Sequence, residues 1–232
     1  MIYIERSIES KLLSYVKAFP CTLVAGARQV GKSTLLEKKF GDTHRRFVFD
    51  PVQDLYGVRE DPDLFLRNNP PPVILDEIQY VPELVPALKR AIDRDRRPGQ
   101  YLITGSQQWE VMRHLAESLA GRVGILELSG FSLPEQLQQR ADWLSCWLES
   151  APRGMDAAAA RLQGFRAAEL SPARHLWRGS YPEVLTLEDI VVPGWMQGYV
   201  STYLQRDVRS MTEVRDETQF AAFLTLCAAL TA

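Results

Sequence analysis

The sequence predicts an α/β fold in which a mostly parallel sheet of five strands is covered by helices on both faces. Three observations predict it. Short apolar runs recur up to Gly130, helical patterns lie between them, and turn-forming residues mark the transitions. Strands that alternate with helices of this length form βαβ units, which build parallel sheets. After Gly130 the sequence favours helix, and no clear strand pattern is present.

The first elements follow from apolar spacing. Apolar residues that recur every three or four positions share one helical face, and they predict a first helix through Ile4, Ile8, Leu12, Tyr15, Val16 and Phe19. An almost wholly apolar run at 21–25 predicts a buried strand. A glycine-bounded loop follows it, and the pattern at 32–40 predicts the next helix.

The remaining elements of the sheet alternate in the same way. The second strand at 46–50 ends at Pro51, and a short helix at 61–67 ends at the Asn- and Pro-rich break of 68–72. Helices are further predicted at 81–96 and 110–120. Strands three to five are predicted from apolar runs at 73–75, 101–104 and 123–128.

The change of character after Gly130 predicts a domain boundary near 131–134. We therefore divide the chain into a first domain at 1–132 and a helical segment at 133–232, with the alanines at 157–160 favouring helix. The last apolar stripe stops without a capping signal, so we expect the polypeptide to continue beyond it. That stripe consists of Phe220, Phe223, Leu224, Cys227 and Leu230.

Composition excludes some classes of protein. The formal net charge of -2 does not favour a nucleic-acid or anionic-membrane surface. No apolar run approaches the ~20 residues that span a bilayer, and the N-terminus lacks a signal-peptide pattern. The three cysteines are far apart and lack metal-binding spacing. We expect a cytoplasmic protein with reduced thiols and no membrane partner.

Residues 26–33 match the pattern G-x-x-x-x-G-K-[ST] in full. Glycines at both ends let the backbone curl around a phosphate with its N–H groups inward, and the helix that begins there adds the positive end of its dipole. Lys32 would reach the β- and γ-phosphates, and the Ser33 hydroxyl would bind Mg²⁺. The pattern predicts a site for ATP and Mg²⁺ formed by Gly26, Ala27, Arg28, Gln29, Val30, Gly31, Lys32, Ser33 and Thr34. Arg28 and Gln29 are equally compatible with solvent-exposed loop positions.

A second acidic motif follows the third strand, which ends in Asp76 and Glu77. A carboxylate beside a buried strand is costly unless it meets a cation, so Asp76 is predicted to hold Mg²⁺ through a water. Glu77 is predicted to orient and polarise the attacking water. Without the phosphate loop upstream, the pair could equally be a helix cap or a surface acid pair.

Three further positions are candidates with open alternatives. Ser106 ends the fourth strand, and it would approach the γ-phosphate or the attacking water if that strand lies between those leading to Lys32 and Asp76; otherwise it caps a helix. Thr104 is a lesser candidate. Arg122 precedes the fifth strand and could act as an arginine finger on a neighbouring subunit, or form an ordinary salt bridge.

These residues resemble the AAA+ branch of P-loop ATPases, whose Walker B segment carries an adjacent Asp-Glu pair. More narrowly, the chain is similar to a prokaryotic family of AAA-domain ATPases with an uncharacterised C-terminal domain. The similarity covers nearly the whole chain, and its matching segments are 26–34, 74–79, 104–106, 119–122, 179–183 and 203–208.

The resemblance implies a sheet ordered 5-1-4-3-2, a sensor at Ser106 or a neighbour, and Arg122 near the arginine-finger position. It also implies a winged-helix-like segment from about Gln219 and a further domain, resembling restriction endonucleases, that this chain does not include. The chain departs from remodelling AAA+ machines because it has no recognisable sensor-2 motif. Possible substitutes for that motif are Arg178, Arg206 and Arg209, although a structural role is favoured for each of them.

We weigh three functions. The first is an ATPase that uses hydrolysis to drive a conformational change, and the second is a slow nucleotide-dependent switch with little turnover. The third, a small-molecule kinase, is disfavoured because an adjacent Asp76-Glu77 pair favours water as the nucleophile and a kinase must exclude water. The expected partner is an unknown protein or DNA, the latter implied by the resemblance alone, and the chain is a candidate homo-oligomer.

Overall fold

Five parallel strands form the central sheet of the computed structural model, which describes residues 3–106, 117–138, 147–149, 152, 154, 156, 171–203 and 217–231. The strands are β1 (Cys21–Gly26), β2 (Arg45–Val48), β3 (Val73–Asp76), β4 (Tyr101–Ser106) and β5 (Val123–Glu127). Their order is β2-β3-β4-β1-β5, and every pairing is parallel. The predicted fold class and the strand order implied by the resemblance are confirmed.

Helices cover both faces of this sheet: α1 (Glu9–Ala18), α2 (Lys32–Phe40), α3 (Pro62–Asn68) and α4 (Leu84–Arg94). Alternate residues of a strand enter opposite apolar clusters. Val73 and Leu75 pack in the cluster that contains α3 and α4, whereas Ile74 packs in the cluster that contains α1 and α2. Because both faces are buried, the strands read as continuous apolar runs rather than as alternating ones.

Some predicted boundaries are wrong. Helix α1 begins at Glu9, so Ile4 and Ile8 precede it, because the Glu9 carboxylate accepts hydrogen bonds from the Arg6 amide and the Tyr3 hydroxyl and turns the chain there. Helix α4 begins at Leu84 rather than at 81, after a 3₁₀ turn at Ile78–Tyr80. The predicted helices at 110–120 and 157–160 lie mostly or wholly outside the described residues.

The regular elements that the structure describes in the C-terminal part are α-helices and a 3₁₀ turn, joined by turns and irregular segments. Its helices are Leu133–Gln136, Pro172–Arg178, Val192–Tyr203 and Glu217–Thr231, with a 3₁₀ turn at Val184–Thr186. Within the described ranges, no helix combines the length and apolar character needed to cross a bilayer. The domain boundary near 131–134 and the winged-helix-like start near Gln219 stay predictions.

Candidate nucleotide-binding site

The phosphate loop connects the carboxyl end of β1 to the first turn of α2. Gln29 and Gly31 adopt left-handed backbone conformations, with φ of 60° and 93°, and these reverse the chain into the helix. Gly26 is required for a different reason. A Cβ at Gly26 would lie 2.1 Å from the Leu128 carbonyl oxygen, so only glycine allows this close approach to the chain that follows β5.

Lys32 is almost fully buried inside the loop, with 4% of its surface exposed. Its Nζ donates hydrogen bonds to the carbonyl oxygens of Ala27 at 2.8 Å and Gly26 at 3.1 Å. The ammonium group therefore lies at the concave side of the loop. This is where a phosphate would meet a positive charge and inward-facing amides.

Asp76 lies directly against the loop helix. The Ser33 hydroxyl donates to Asp76 Oδ1 at 2.8 Å, although 43 positions separate the two residues. A hydroxyl and a carboxylate in contact provide the hard oxygen ligands that Mg²⁺ prefers in proteins, so these two residues fit the predicted metal. The structure thus brings together the two residues predicted to share Mg²⁺.

Thr104 contributes more to this arrangement than the sequence indicated. Strand β4 lies between β1 and β3, the condition set for its polar end to face the site. The Thr104 hydroxyl is fully buried, donates to Asp76 Oδ1, and accepts a hydrogen bond from the Glu77 amide at 3.0 Å. Thr104 therefore orients both acids. In the sequence Thr104 is only a lesser candidate, indicated by a hydroxyl within a mostly apolar strand and by its place in the matching segment 104–106.

Arg46 is a site residue that sequence reasoning missed. From β2 its Nε and Nη2 donate to Asp76 Oδ2 at 3.1 and 2.5 Å, and its Nη1 donates to Glu37 Oε2 at 2.9 Å. Burial lowers the pKa of the Arg46 guanidinium, but hydrogen bonds and charge from Asp76, with a contribution from Glu37, outweigh this effect and raise the pKa. Arg46 is thus a permanent cation beside the metal-site carboxylate.

Glu77 has its own partner. Its backbone is left-handed, with φ of 62°, and its carboxylate accepts a hydrogen bond from the side-chain amide of Gln79. Gln79 is buried with 5% of its surface exposed. Backbone strain at a non-glycine residue is sustained by such fixed partners, and it concentrates at functional sites.

Ser106 ends β4 opposite Gly26 in the strand register. It is 3% exposed, and its Oγ has no hydrogen-bond partner within the described parts of the chain. A buried hydroxyl of this kind, beside the first residue of the loop, suits a ligand-sensing role. The alternative role as a helix cap concerns residues 107–110, which lie outside the described ranges.

Arg122 lies at the amino ends of the strands, opposite the end that carries the phosphate loop. Its carbonyl accepts a hydrogen bond from the Cys21 amide at the start of β1, and the six residues of β1 span roughly 16 Å to the loop. Its guanidinium pairs with Asp93 at 2.5 and 2.9 Å. Arg122 therefore has the ion pair of the alternative interpretation, and it could act only on another subunit's nucleotide.

Two of the other arginine candidates, Arg28 and Arg178, lie within the described residues. Arg28 Nη2 donates to the Tyr80 hydroxyl at 3.2 Å, so its guanidinium leans toward the segment that follows Glu77. Arg178 forms an ion pair with Asp189 and donates to two backbone carbonyls, which is the structural role. Arg206 and Arg209 lie outside the described residues.

A partly enclosed apolar cleft adjoins the loop. It is lined by residues from the N-terminal segment, from α2 and from the C-terminal part, including Tyr3, Ile4, Arg6, Thr34, Pro182 and Leu185. Arg6 was also missed by sequence reasoning. It donates to the carbonyl oxygens of Val30 in the loop at 2.9 Å and Ser129 at 2.7 Å. The cleft therefore borders the phosphate loop, with Gly31 in its lining.

Comparison with known protein families gives two matches. A family described as "AAA domain" matches residues 18–137, more than half of the chain. A second family, described as a domain of unknown function (DUF8612), matches residues 171–232.

Similar proteins exist in other organisms. The uncharacterized proteins Rv2008c of Mycobacterium tuberculosis and Mb2031c of Mycobacterium bovis are each 29% identical over 215 residues, which is 91% of this chain and 41% of the relative. The chain thus spans about two-fifths of the length of these curated relatives.

Two solved structures are similar to this chain. The Walker-type ATPase PABY2304 of Pyrococcus abyssi is 15% identical, with a TM-score of 0.45, over 89% of this chain and 77% of that one. The RuvB Holliday junction branch migration motor of Thermotoga maritima is 21% identical, with a TM-score of 0.39, over 58% and 49%.

Proposed function

This chain belongs to the AAA-domain family, and we propose that it binds ATP together with Mg²⁺ and hydrolyses the ATP to drive a conformational change of its C-terminal part. The observation that carries the proposal is the 2.8 Å contact between Ser33 and Asp76. It joins the phosphate-loop motif to the acidic motif, as a shared metal site requires.

The chemistry assigns separate tasks to the residues. Mg²⁺, when bound with ATP, would neutralise phosphate charge, and Ser33 and Asp76 would hold it. Lys32 would bind the β- and γ-phosphates. Glu77 would hold the attacking water and accept its proton, and Ser106 would donate a hydrogen bond at the γ-phosphate.

The cleft beside the loop could hold the adenine base of ATP. Its lining is mostly apolar and carries a few polar groups, which is typical of small-molecule sites. Pro182, from the C-terminal part, would lie 3.8 Å from a Cβ at Gly31. A base bound there would touch both parts of the chain.

A route from the nucleotide to the C-terminal part runs through Arg6 and Phe131. Arg6 contacts the loop at Val30, forms an ion pair with Glu135 at 3.4 Å, and lies 4.4 Å from the Phe131 ring centroid. The Phe131 amide donates to the Ser180 carbonyl at 2.7 Å. A change in the loop on hydrolysis would therefore be transmitted to residues around 180.

The second candidate function is a slow nucleotide switch. It is favoured by the ion pair of Arg122 with Asp93. An Arg122 side chain held there does not stimulate hydrolysis within its own chain, so faster turnover would need a neighbouring subunit. Action of Arg122 on such a subunit, homo-oligomerisation and a protein or DNA partner all stay proposals. Turnover of Arg122→Ala in the assembled protein decides the first of these.

ATP binding is tested by thermal stability. With Mg²⁺ present and ATP at 100 times its Kd, binding adds about 2.7 kcal/mol to the free energy of unfolding. For a chain of this size, that raises the Tm by roughly 5–10 °C. Lys32→Ala removes charge-assisted hydrogen bonds worth about 1.5–3 kcal/mol, so the rise should fall to half or less.

Lys38→Ala is the matched control, because Lys38 is an exposed lysine on the same helix. It should keep the full rise in Tm. No rise for the wild-type protein, or an equal rise for Lys32→Ala, contradicts the proposed site.

A further inference from the structure

The two oxygens of the Asp76 carboxylate have different partners. Oδ1 accepts hydrogen bonds from Ser33 and Thr104, on the side of the phosphate loop. Oδ2 accepts two from Arg46, through Nε at 3.1 Å and Nη2 at 2.5 Å. Within the described residues, both hydrogen bonds to Oδ2 come from Arg46. The carboxylate is thereby divided between a metal-facing oxygen and an oxygen held by the guanidinium.

Arg46 fixes the orientation of a carboxylate that the other contacts leave free to turn. Ser33 and Thr104 both bind one oxygen, so they restrain a single point of the group. Two donors from a rigid planar fork add a second point and set the plane of the carboxylate. Asp76 is 1% exposed, and without Arg46 its second oxygen would be buried without a charged partner, at a large cost.

Arg46 is itself anchored to the loop helix. Its Nη1 donates to Glu37 Oε2 at 2.9 Å, and Glu37 lies on α2, the helix that begins at Lys32 and carries Ser33. The contact therefore links three elements: β2 through Arg46, β3 through Asp76 and α2 through Glu37. Their relative placement determines how far Asp76 Oδ1 lies from Ser33.

We propose that Arg46 is a positioning residue for the metal site: by holding Asp76 Oδ2 it keeps Oδ1 facing Ser33, and it thereby sets the affinity for the Mg²⁺ that accompanies ATP. This inference rests on the proposed function. Partners that orient metal ligands change metal affinity by about 10–100-fold when they are removed. If Arg46 instead competed with Mg²⁺ for the carboxylate, its removal would tighten Mg²⁺ binding.

The test is a Mg²⁺ titration at a saturating concentration of a non-hydrolysable ATP analogue, with the rise in Tm as the signal. Arg46→Met keeps the apolar stem and loses the fork, and the Mg²⁺ concentration at half-maximal rise should increase about 10-fold or more. Arg46→Lys keeps the charge and loses the pair of donors fixed in one plane, so the Mg²⁺ concentration at half-maximal rise should increase several-fold. In excess EDTA, the rise in Tm that the analogue alone produces should match that of the wild-type protein, because Arg46 does not touch the phosphate loop.

Arg90→Met is the matched control. Arg90 forms a two-point pair with Asp63 on the surface, so its loss removes a similar ion pair away from the site. It should leave the Mg²⁺ dependence unchanged. If Arg46→Met does not fold, Arg46→Lys carries the test with the same direction of change.

Each outcome has a distinct meaning. An unchanged Mg²⁺ requirement in both Arg46 variants overturns the inference, and a lowered requirement shows that Arg46 competes with the metal. Neither result affects the proposed function. Absence of any analogue-dependent rise in the wild-type protein overturns the proposed function itself.

Discussion

Replacing Glu77 by Gln should lower ATP hydrolysis by about 10²–10⁴-fold and leave ATP binding intact. The amide keeps the size of the side chain but cannot accept a proton from water. The Glu77 carboxylate is separate from the contacts to Asp76, since it accepts its hydrogen bond from Gln79. Only the Glu77 backbone amide shares a partner, Thr104, with Asp76. The loss should therefore fall on the chemical step and not on the affinity for nucleotide.

Phosphate release per protein per minute measures this effect at several protein concentrations. Glu83→Gln is a suitable control, because Glu83 is exposed and makes no side-chain cap at the start of α4. It should keep wild-type turnover. Equal turnover in the Glu77→Gln and wild-type proteins would exclude Glu77 as the base. Negligible turnover in both, with normal ATP binding, would favour the slow switch.

Gly26→Ala should destabilise the protein by about 2–4 kcal/mol and abolish the ATP-dependent rise in Tm. The added Cβ would lie 2.1 Å from a backbone oxygen, that of Leu128, and the Gly26 φ of 157° is unfavourable for a side chain. Because the obstacle is backbone, relief requires β1 or the chain after β5 to move. Either movement displaces the phosphate loop.

Thermal unfolding with and without ATP measures both parts of this prediction, with an expected fall in Tm of roughly 5–15 °C. Gly57→Ala is the control that separates the backbone strain of a side chain at positive φ from the steric clash with a neighbouring atom. Gly57 has a φ of 64°, and nothing lies within 4 Å of an added Cβ. Its replacement should cost only about 1–2 kcal/mol and spare ATP binding. If Gly26→Ala behaves like Gly57→Ala, the close approach to Leu128 does not constrain the site.

Local sequence patterns predicted much of the fold. The helix at 32–40 matches α2 at both ends, and the apolar runs located all five strands to within two residues at either end. These elements are predictable because burial on both faces of the sheet makes each strand a continuous apolar run. A glycine-bounded loop between a strand and a helix likewise fixes where both of them end. The strand order came from the resemblance, since spacing alone does not determine which strands are neighbours.

The support around the site could not be predicted. Arg46, Arg6 and Gln79 act through contacts with Asp76, Val30 and Glu77. Two of these contacts span more than twenty positions in the sequence, so no local pattern reports them. An arginine in a strand reads equally well as a solvated surface residue. Only the three-dimensional arrangement shows that its charge meets the buried carboxylate.

The central claim is that Ser33 and Asp76 share one metal at the phosphate loop. A crystal structure with Mg²⁺ and a non-hydrolysable ATP analogue tests it most directly. We expect the metal at about 2.0–2.1 Å from Ser33 Oγ, Asp76 within reach through one water, and the β-phosphate inside the curve of residues 26–33. A nucleotide bound elsewhere, or a metal with neither residue in its surroundings, would contradict this claim.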